Sequence, residues 1–230
     1  MVSGAGTKVK RSEINDIVAQ GHDFIRSFGV VLPPFAEWAP ERMRRDDAAL
    51  IRSRGLGWDI TDYGAGNFAE MGVFLFTTRN GSAAHLSEGC GMLYAEKIMI
   101  SRRDQLSPMH RHVSKAEDII NKGGGDLIIE LFASDPTGRI DRTADVTVMS
   151  DGCAVTVQAG GKLRLQPGQS VTLMPGDWHA FWAEHEDCLI AEVSTVNDDK
   201  TDNIFEQPIL RFAQVVEDVP ATRLLVSDYA

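Results

Sequence analysis

The stretch "DVTVMSDGCAVTVQAGGKLRLQPGQSVTLMPGDWHAFWA" (residues 145–183) decides the fold class. Apolar and polar residues alternate in short runs, which is the period-two pattern of β-strands with one buried face. The runs are separated by Asp-Gly at 151–152 and by Pro-Gly at 167–168 and 175–176, dipeptides that favour tight turns. Consecutive short strands with no helix between them predict a sandwich or a closed barrel.

Strand patterns continue on the N-terminal and C-terminal sides of this stretch. Alternating or densely apolar runs occur in "YAEKIMIS" (94–101), "DLIIELFAS" (126–134) and "CLIAEVSTV" (188–196). In "FLFTTRNGSAAHL" (74–86), Asn80-Gly81 is the dipeptide typical of a two-residue hairpin turn. We therefore expect a mainly β protein.

The N-terminal part of the chain has a helical pattern instead. Apolar residues recur at helical spacing in "RSEINDIVAQGHDFIRSFG" (11–29), with Ser12 as the expected N-cap and Gly29 as the expected stop. Three prolines then interrupt regular structure, and a short second helix is expected after Pro40, through residues 41–53.

The bulk properties fit a single globular unit. The chain has 230 residues, of which 43% are hydrophobic and 24% charged, a composition ordinary for globular proteins. One core can serve a chain of this size. We expect residues 1–54 to form a helical segment packed on the barrel, and residues 55–230 to form the barrel with a C-terminal tail, as one structural domain.

The net charge and the cysteine content indicate which partners and which location to expect for the protein. The net charge of −10 argues against a nucleic-acid partner and against an anionic membrane surface. The three cysteines, Cys90, Cys153 and Cys188, form no C-x-x-C pair and are expected to be reduced thiols. The sequence has no apolar run of signal-peptide or membrane-span length, so a cytoplasmic location is expected.

Two histidines in "MHRHVSKAED" (109–118) indicate a metal site. His110 and His112 point to the same face of a strand because side chains alternate with a period of two. Glu117 can return a carboxylate after a bend, and His179 follows the tight turn at 175–176. Imidazoles with one carboxylate suit Mn, Fe, Co, Ni or Zn, and the absence of nearby cysteine argues against a closed structural zinc site.

These spacings resemble the two motifs of the cupins. "HRHVSKAEDIINKGG" (110–124) resembles the first motif, and "PGDWHAFW" (175–182) resembles the second. Two positions depart from the pattern: Asp104 or a neighbour stands where a glycine is expected, and Ala183 stands where asparagine is frequent. The resemblance implies a jelly-roll β-barrel and a bound metal, and it leaves the chemistry open.

Longer phrases resemble the D-lyxose isomerase family of sugar isomerases over roughly residues 10–228. They include "LPPFAEWAPE" (32–41), "GLGWDITDYGAGNF" (55–68), "EVSTVNDDKTDNIF" (192–205) and "PILRF" (208–212). The resemblance implies interconversion of an aldose and a ketose, D-lyxose with D-xylulose or D-mannose with D-fructose. It also implies a divalent metal, commonly manganese, and a homodimer.

Aldose–ketose isomerisation moves a proton between C1 and C2 through an enediol, and this chemistry defines which groups to look for. A base must take the C2 proton and return it at C1, and another group must stabilise the enediolate oxygens. A divalent ion that chelates O1 and O2 would supply that stabilisation as a Lewis acid.

Four residues are candidates for catalysis. Glu117 is a metal ligand that could shift, and Glu192 lies in an apolar strand and could point into a cavity. Lys97 lies in "YAEKIMIS"; on the inner face its ammonium could neutralise an enediolate oxygen. Arg211 could donate hydrogen bonds to sugar hydroxyls. The choice of base between Glu117 and Glu192 stays open, as does the choice between proton transfer and a hydride shift.

Further residues are candidates for sugar contacts. Trp178 and Trp182 flank His179, and aromatic faces suit the C–H faces of a sugar. Asp202 and Glu206 are loop acids that could bind hydroxyls together with Lys97. The chain shows no cluster of lysine and arginine for a phosphate, which favours an unphosphorylated sugar.

Two alternatives to a sugar isomerase remain at this stage. An iron-dependent cupin oxygenase would use the same ligands and would consume oxygen with an organic substrate. A non-catalytic sugar-binding cupin would bind a sugar tightly without turnover, although the intact ligand set argues against it.

Overall fold

A computed structural model describes residues 8–198, 201–209 and 214–229. The protein is mostly β, with 45% strand and 20% helix. The helices are α1 (Arg11–Ser27), α2 (Pro40–Met43), α3 (Ala49–Ser53) and α4 (Ala83–Glu88). The strands are β1 (Lys8–Lys10), β2 (Gly57–Thr61), β3 (Val73–Asn80), β4 (Tyr94–Ser101), β5 (Ser107–His112), β6 (Glu117–Ser134), β7 (Ile140–Asp141), β8 (Val146–Ser150), β9 (Cys153–Val157), β10 (Gly161–Leu165), β11 (Ser170–Leu173), β12 (Trp178–Thr195), β13 (Asn203–Phe205) and β14 (Gln214–Val216).

Two long strands organise the barrel. β6 and β12 each have 18 residues and pair with each other in antiparallel fashion along most of their length. β11 and β10 pair with the first and second halves of β6, whereas β5 and β4 pair with the first and second halves of β12. Each long strand therefore pairs with different neighbouring strands along its first and second halves. The expected mainly β barrel is confirmed.

The glycine run "KGGGD" (122–126) lets these two strands change register. The pairing of β6 with β12 shifts between Glu184 and Cys188, opposite Gly124. Gly124 has a φ of 90°, and a Cβ added there would lie 2.0 Å from the carbonyl oxygen of Asp187. Only glycine tolerates both the backbone conformation and this close approach.

Both faces of the central strands are buried, against two different layers. In β3, Leu75 points into the barrel, whereas Phe74 and Phe76 pack on the outside against a cluster that includes Ile14 and Val18 of α1. β4 and β12 follow the same alternation, because successive side chains point to opposite faces. This period of two also decides which polar side chains of β4 and β12 enter the barrel.

The expected first helix is confirmed, although its N-cap is different. Lys10 occupies the N-cap position, and the Ser12 hydroxyl instead donates a hydrogen bond to Asp218 at 2.7 Å. Gly29 follows the helix with a φ of 76°, as a C-terminal glycine should. The expected second helix is divided: α2 and α3 are separated by a 3₁₀ turn at Asp46–Ala48.

The expected two-residue hairpin at Asn80-Gly81 is wrong. β3 and β4 do pair in antiparallel fashion, but residues 81–93, which include α4, connect them. Here the glycine that follows the strand therefore begins a longer connection and not a tight turn. The tight turn at Asp151-Gly152 is confirmed, since both residues have positive φ, at 49° and 80°.

The C-terminal segment packs against the start of α1 through strand pairing and ion pairs. β14 pairs in parallel with β1, and the buried Arg11 guanidinium donates hydrogen bonds to Glu217 and Asp228. Among the helices of the described residues, none is long and apolar enough to cross a membrane.

Candidate active site and metal centre

Three histidines from two paired strands meet inside the barrel. His110 of β5 lies opposite His179 of β12 in the strand register, and His112 follows on the same face of β5. One ring nitrogen from each histidine lies within 4.8 Å of the others, and all three residues are buried. The expected same-face pair of His110 and His112 is therefore present, and the β12 histidine completes a triad.

Oxygen atoms behind the rings orient two of the three imidazoles. Nδ1 of His110 lies 2.8 Å from the carbonyl oxygen of Pro108, and Nδ1 of His179 lies 3.1 Å from that of Asp177. A carbonyl oxygen only accepts, so these Nδ1 atoms carry the proton and leave Nε2 as a lone-pair donor. This arrangement is typical of histidines that bind a metal through Nε2.

Glu117 lies beside two of these imidazoles. Its Oε1 is 3.2 Å from Nε2 of His112 and 3.2 Å from Nε2 of His179. Both Nε2 atoms are buried without a hydrogen-bond partner among the described residues. Buried polar atoms are rarely left unpaired, and a divalent cation would satisfy these nitrogens together with the carboxylate. The residues present therefore fit a metal ion.

The electrostatics of the triad agree with this fit. Burial lowers the pKa of His110 well below its ordinary value, and the neighbouring His179 and His112 lower it further. Burial alone would raise the pKa of Glu117, but Lys115 and His112 hold it well below its usual range. For His112, burial lowers the pKa, whereas the charge of Glu117 raises it, and the net shift is upward.

A second group of charged residues adjoins the triad. Lys115 Nζ lies 2.6 Å from Glu117 Oε2 and 3.0 Å from Glu192 Oε1, and Lys97 Nζ lies 3.2 Å from the same oxygen of Glu192. These four side chains are each at most 4% exposed. Lys115 therefore connects Glu117, beside the histidines, to Glu192.

Glu192 is held in its ionised form. Burial raises the pKa of this carboxyl, but the two ammonium groups of Lys115 and Lys97 outweigh the effect and lower it. An ionised carboxylate that faces a cavity has the lone pair that a general base needs.

An open cavity gives access to these groups. Its empty space is about 450 Å³, counting the part open to solvent. His110, His112, Glu117, Glu192 and both lysines line it, and His179 lies behind this lining, within contact of Glu117. An aromatic wall is formed by Tyr63, Phe181 and Phe205, and Ser107 and Asn203 add polar groups. The cavity thus combines charged residues at one side with apolar rings at another.

Known proteins match this chain over nearly its whole length. The family model for D-lyxose isomerase matches residues 9–229. The chain belongs to the D-lyxose isomerase family. A D-lyxose/D-mannose isomerase of Serratia proteamaculans is 46% identical over 226 residues, covering 96% of this chain and 98% of that protein. A D-lyxose/D-mannose isomerase of Escherichia coli O157:H7 is 46% identical over 228 residues, with the same coverage.

Solved structures support the fold of this isomerase. An L-ribose isomerase of Geodermatophilus obscurus has a TM-score of 0.59 at 18% identity, covering 92% of this chain and 100% of that one. An L-ribose isomerase of Cellulomonas parahominis with L-ribose has a TM-score of 0.56 at 14% identity, covering 92% and 100%. At such low identity these likenesses show that the cupin-type architecture is shared. Membership of an isomerase family also removes the basis for the oxygenase and the non-catalytic alternatives.

Six of the expected site residues of the isomerase meet at the cavity. Lys97, His110, His112, Glu117 and Glu192 line it, and His179 joins them through the histidine triad and its contact with Glu117. Lys97 and Glu192 enter the barrel because they share a strand face with the inward-pointing Met99 and Ile190, respectively. Arg211 lies outside the described residues, so its expected role stays a prediction.

The expected substrate contacts of Trp178 and Trp182 are not supported. His179 and Phe181 point into the barrel, and the residues between and beside them point to the opposite face. On that face the guanidinium of Arg111 lies 5.5 Å from the Trp178 ring, and Lys162 Nζ lies 4.8 Å from the Trp182 ring. Phe181 is the aromatic residue of this strand that lines the cavity.

Asp202 and Glu206, two other expected substrate contacts, do not line the cavity either. Asp202 accepts hydrogen bonds from the backbone N–H groups of Ser114 and Lys115, and its Oδ2 lies 3.3 Å from Nδ1 of His112. Its carboxylate therefore supports a metal-site histidine. Glu206 pairs with Arg142 at the half-exposed rim and does not line the cavity.

Sequence reasoning missed Lys115 and Tyr63. Lys115 lies two residues before Glu117, and the alternation of buried positions extends from the strand back to it, so the period of two could have revealed it. Tyr63 has a left-handed φ of 54°, and its hydroxyl lies 3.1 Å from that of Ser107. No local signal in the sequence predicts this conformation for a tyrosine.

Replacing Asp202 with asparagine is expected to weaken metal binding about 10- to 100-fold, because the carboxylate behind His112 would lose its charge. The amide can still accept a hydrogen bond from Ser114, so the local turn should persist. The affinity can be measured by competition with a chromophoric chelator.

Asp141→Asn is the matched control for this variant. Asp141 also accepts hydrogen bonds from a following threonine, but it lies on the exposed surface away from the histidines. Metal affinity should be unchanged in this control. Equal affinities for Asp202→Asn and the parent protein would show that Asp202 does not support the metal site.

Proposed function

We propose that this isomerase is a metal-dependent enzyme that interconverts D-lyxose with D-xylulose and D-mannose with D-fructose. The observation that carries the proposal is the ionised Glu192, connected through Lys115 to a carboxylate beside three convergent histidines. The curated relatives at 46% identity, named D-lyxose/D-mannose isomerases, support the choice of sugars.

The metal would be held by His110, His112 and His179 through Nε2, and by Glu117 through Oε1. We propose manganese, since a mixed set of imidazole and carboxylate ligands suits Mn²⁺, with Co²⁺, Fe²⁺, Ni²⁺ and Zn²⁺ as other ions that the set accepts. When bound, the ion would act as a Lewis acid toward the oxygens at C1 and C2 of the sugar.

Glu192 is the proposed general base. Its carboxylate takes the proton from C2 of the aldose; the C–H electron pair forms the C1–C2 double bond, and the former carbonyl oxygen at C1 gains negative charge. Return of the proton to C1 and transfer of the O2 proton to O1 give the ketose, with a hydroxyl at C1 and a carbonyl at C2. One carboxylate serves both steps because C1 and C2 are adjacent atoms.

Lys97 and Lys115 are the proposed sources of positive charge in the reaction. Both ammonium groups line the cavity and are buried, where electrostatic stabilisation of a developing oxyanion is stronger than in water. Their hydrogen bonds to Glu192 also fix the carboxylate in one orientation. They can donate toward the oxygens at C1 and C2 as charge develops there.

The charge balance supports an unphosphorylated sugar. Lys97 and Lys115, the two lysines that line the cavity, are each paired with a carboxylate, so their charges already balance those of Glu117 and Glu192. A phosphate group would add about two negative charges beside two glutamates.

We also propose that the enzyme works as a homodimer in the cytoplasm, which size-exclusion chromatography and localisation of a tagged chain can test.

The central test follows D-lyxose and D-mannose by NMR in D₂O with protein that was dialysed against a chelator and then supplied with Mn²⁺. We expect ketose to form with Mn²⁺ and turnover to fall to background after chelation. Deuterium at C1 of the ketose is the expected signature of proton transfer. If metal-loaded protein leaves both sugars unchanged, the proposed function is wrong.

A further inference from the structure

Asn80 and Gly81 form no hairpin turn. The Asn80 side chain instead makes hydrogen bonds to residues that are distant in the sequence. The amide of Asn80 accepts a hydrogen bond from the backbone N–H of Asn197 at 3.0 Å and donates one to the carbonyl oxygen of Asn197 at 3.0 Å. The same Nδ2 also donates to the carbonyl oxygen of Arg54 at 3.1 Å. Asn80 therefore binds both backbone polar groups of Asn197.

Gly81 makes this arrangement possible. A Cβ added at Gly81 would lie 2.0 Å from the carbonyl oxygen of Met92 and 2.7 Å from Cγ2 of Val196. The chain after Asn80 thus lies directly against the residue that precedes Asn197. Both members of the dipeptide are adapted to the segment that follows β12.

Asn197 extends from this segment to the active site. Its Oδ1 accepts a hydrogen bond from Lys97 Nζ at 2.6 Å, a shorter distance than the 3.2 Å between Lys97 Nζ and Glu192 Oε1. Lys97 is only 3% exposed, so partners within the protein set the position of its ammonium group. Asn197 supplies a neutral acceptor on one side, and Glu192 supplies a charged acceptor on the other.

We infer that Asn80 and Asn197 are positioning residues that hold the Lys97 ammonium group for isomerisation. The inference rests on the proposed function, in which Lys97 stabilises charge at the sugar oxygens. Without the Asn197 acceptor, the Lys97 ammonium group would lose its shortest contact and shift toward Glu192. Without the Asn80 side chain, the backbone of Asn197 would lose the contacts that aim its Oδ1.

The test uses metal-loaded full-length protein with three variants. Asn80→Ala removes the contacts to the Asn197 backbone. Asn197→Ala removes the acceptor for Lys97 and keeps the bonds from Asn80, which go to the backbone. Asn197→Asp restores an acceptor oxygen of similar reach. Ser82→Ala is the control, since Ser82 lies in the same connection and makes no side-chain hydrogen bond to the helix that follows.

We expect kcat to fall about 10- to 100-fold in Asn80→Ala and Asn197→Ala, since a displacement of about 1 Å at a reacting group can cost that much. KM should change by less than about threefold, because Lys97 would act in the transition state more than in ground-state binding. Asn197→Asp should recover most of kcat. Bound metal should stay at the parent level in every variant.

Hydrogen exchange gives a second measurement that does not depend on turnover. The N–H of Asn197 is protected by Asn80 Oδ1, so peptides covering residues 194–198 should exchange faster in Asn80→Ala and normally in Ser82→Ala. If Asn80→Ala fails to fold, Asn197→Ala still tests the contact with Lys97 directly.

The possible outcomes separate this inference from the proposed function. A parent protein that converts neither sugar contradicts the proposed function, and hydrogen exchange still reports on the contact between Asn80 and Asn197. An active parent with undiminished kcat in Asn197→Ala overturns the positioning inference alone. The same is true if Ser82→Ala loses as much kcat as Asn80→Ala.

Discussion

Glu192→Gln is expected to lower kcat by about 10²- to 10⁴-fold, the usual contribution of a positioned general base. Glutamine has the same shape as glutamate, but its amide has no basic lone pair for the C2 proton. A thousandfold loss corresponds to about 4 kcal/mol of activation free energy. Bound metal should stay at the parent level, because the three histidines and Glu117 do not change.

The fold should tolerate this substitution. Removal of a buried charge is costly when it leaves its partner unpaired. Here Lys115 keeps Glu117 at 2.6 Å, and Lys97 keeps the Asn197 oxygen at 2.6 Å. The variant should therefore unfold cooperatively by circular dichroism, at a temperature close to that of the parent protein.

Glu184→Gln is the control for Glu192→Gln. Glu184 belongs to the same strand, but it pairs with Arg164 at the surface, so kcat should be unchanged. Incubation of Glu192→Gln with the ketose in D₂O should also fail to exchange the C1 proton. If this variant keeps kcat within tenfold of the parent value, the base lies elsewhere, and Glu117 becomes the candidate.

Gly124→Ala is expected to destabilise the protein by about 3–5 kcal/mol, at the upper end for a single substitution. Alanine is strained at a φ of 90°, and its Cβ would lie 2.0 Å from the Asp187 carbonyl oxygen. That oxygen belongs to the backbone of the paired strand, so relief would require the two long strands to separate. The midpoint of thermal unfolding should fall by about 6–20 °C for a chain of this length.

Gly152→Ala separates backbone strain from the steric contact. Gly152 has a φ of 80°, but nothing lies within 4 Å of the position of an added Cβ. The left-handed conformation alone should cost about 1–2 kcal/mol. Urea unfolding of both variants measures the difference. Equal losses would mean that the close approach at Gly124 has no energetic consequence.

Strand periodicity carried much of the site prediction. The period of two placed His110 and His112 on one face, and the structure agrees. Metal chemistry and the family resemblance favoured Lys97 as an inward residue, and Lys97 lines the cavity. The same period of two argues against a cavity position for Trp178 and Trp182, because His179 points toward His110 and Glu117 inside the barrel. It also connects Lys115 to the face of Glu117.

Other features depend on contacts that local patterns do not contain. A turn dipeptide has the same local propensity whether it closes a hairpin or precedes a longer connection, so Asn80-Gly81 was misassigned. Asp202 and Glu206 are acids in neighbouring loops; one supports His112 and the other pairs with Arg142. Their sequence environment does not distinguish these two positions.

The sequence by itself determined the mainly β class, the tight turns, the two-histidine strand and the family. These follow from residue type and from spacing over a few positions, where backbone sterics and alternation act. Only the tertiary structure decided which charges meet: Lys97 joins Glu192 and Asn197 across 95 and 100 positions, and Asn80 joins Asn197 across 117. Such pairings arise from strand register and barrel closure, which bring together residues that have no local relation in the chain.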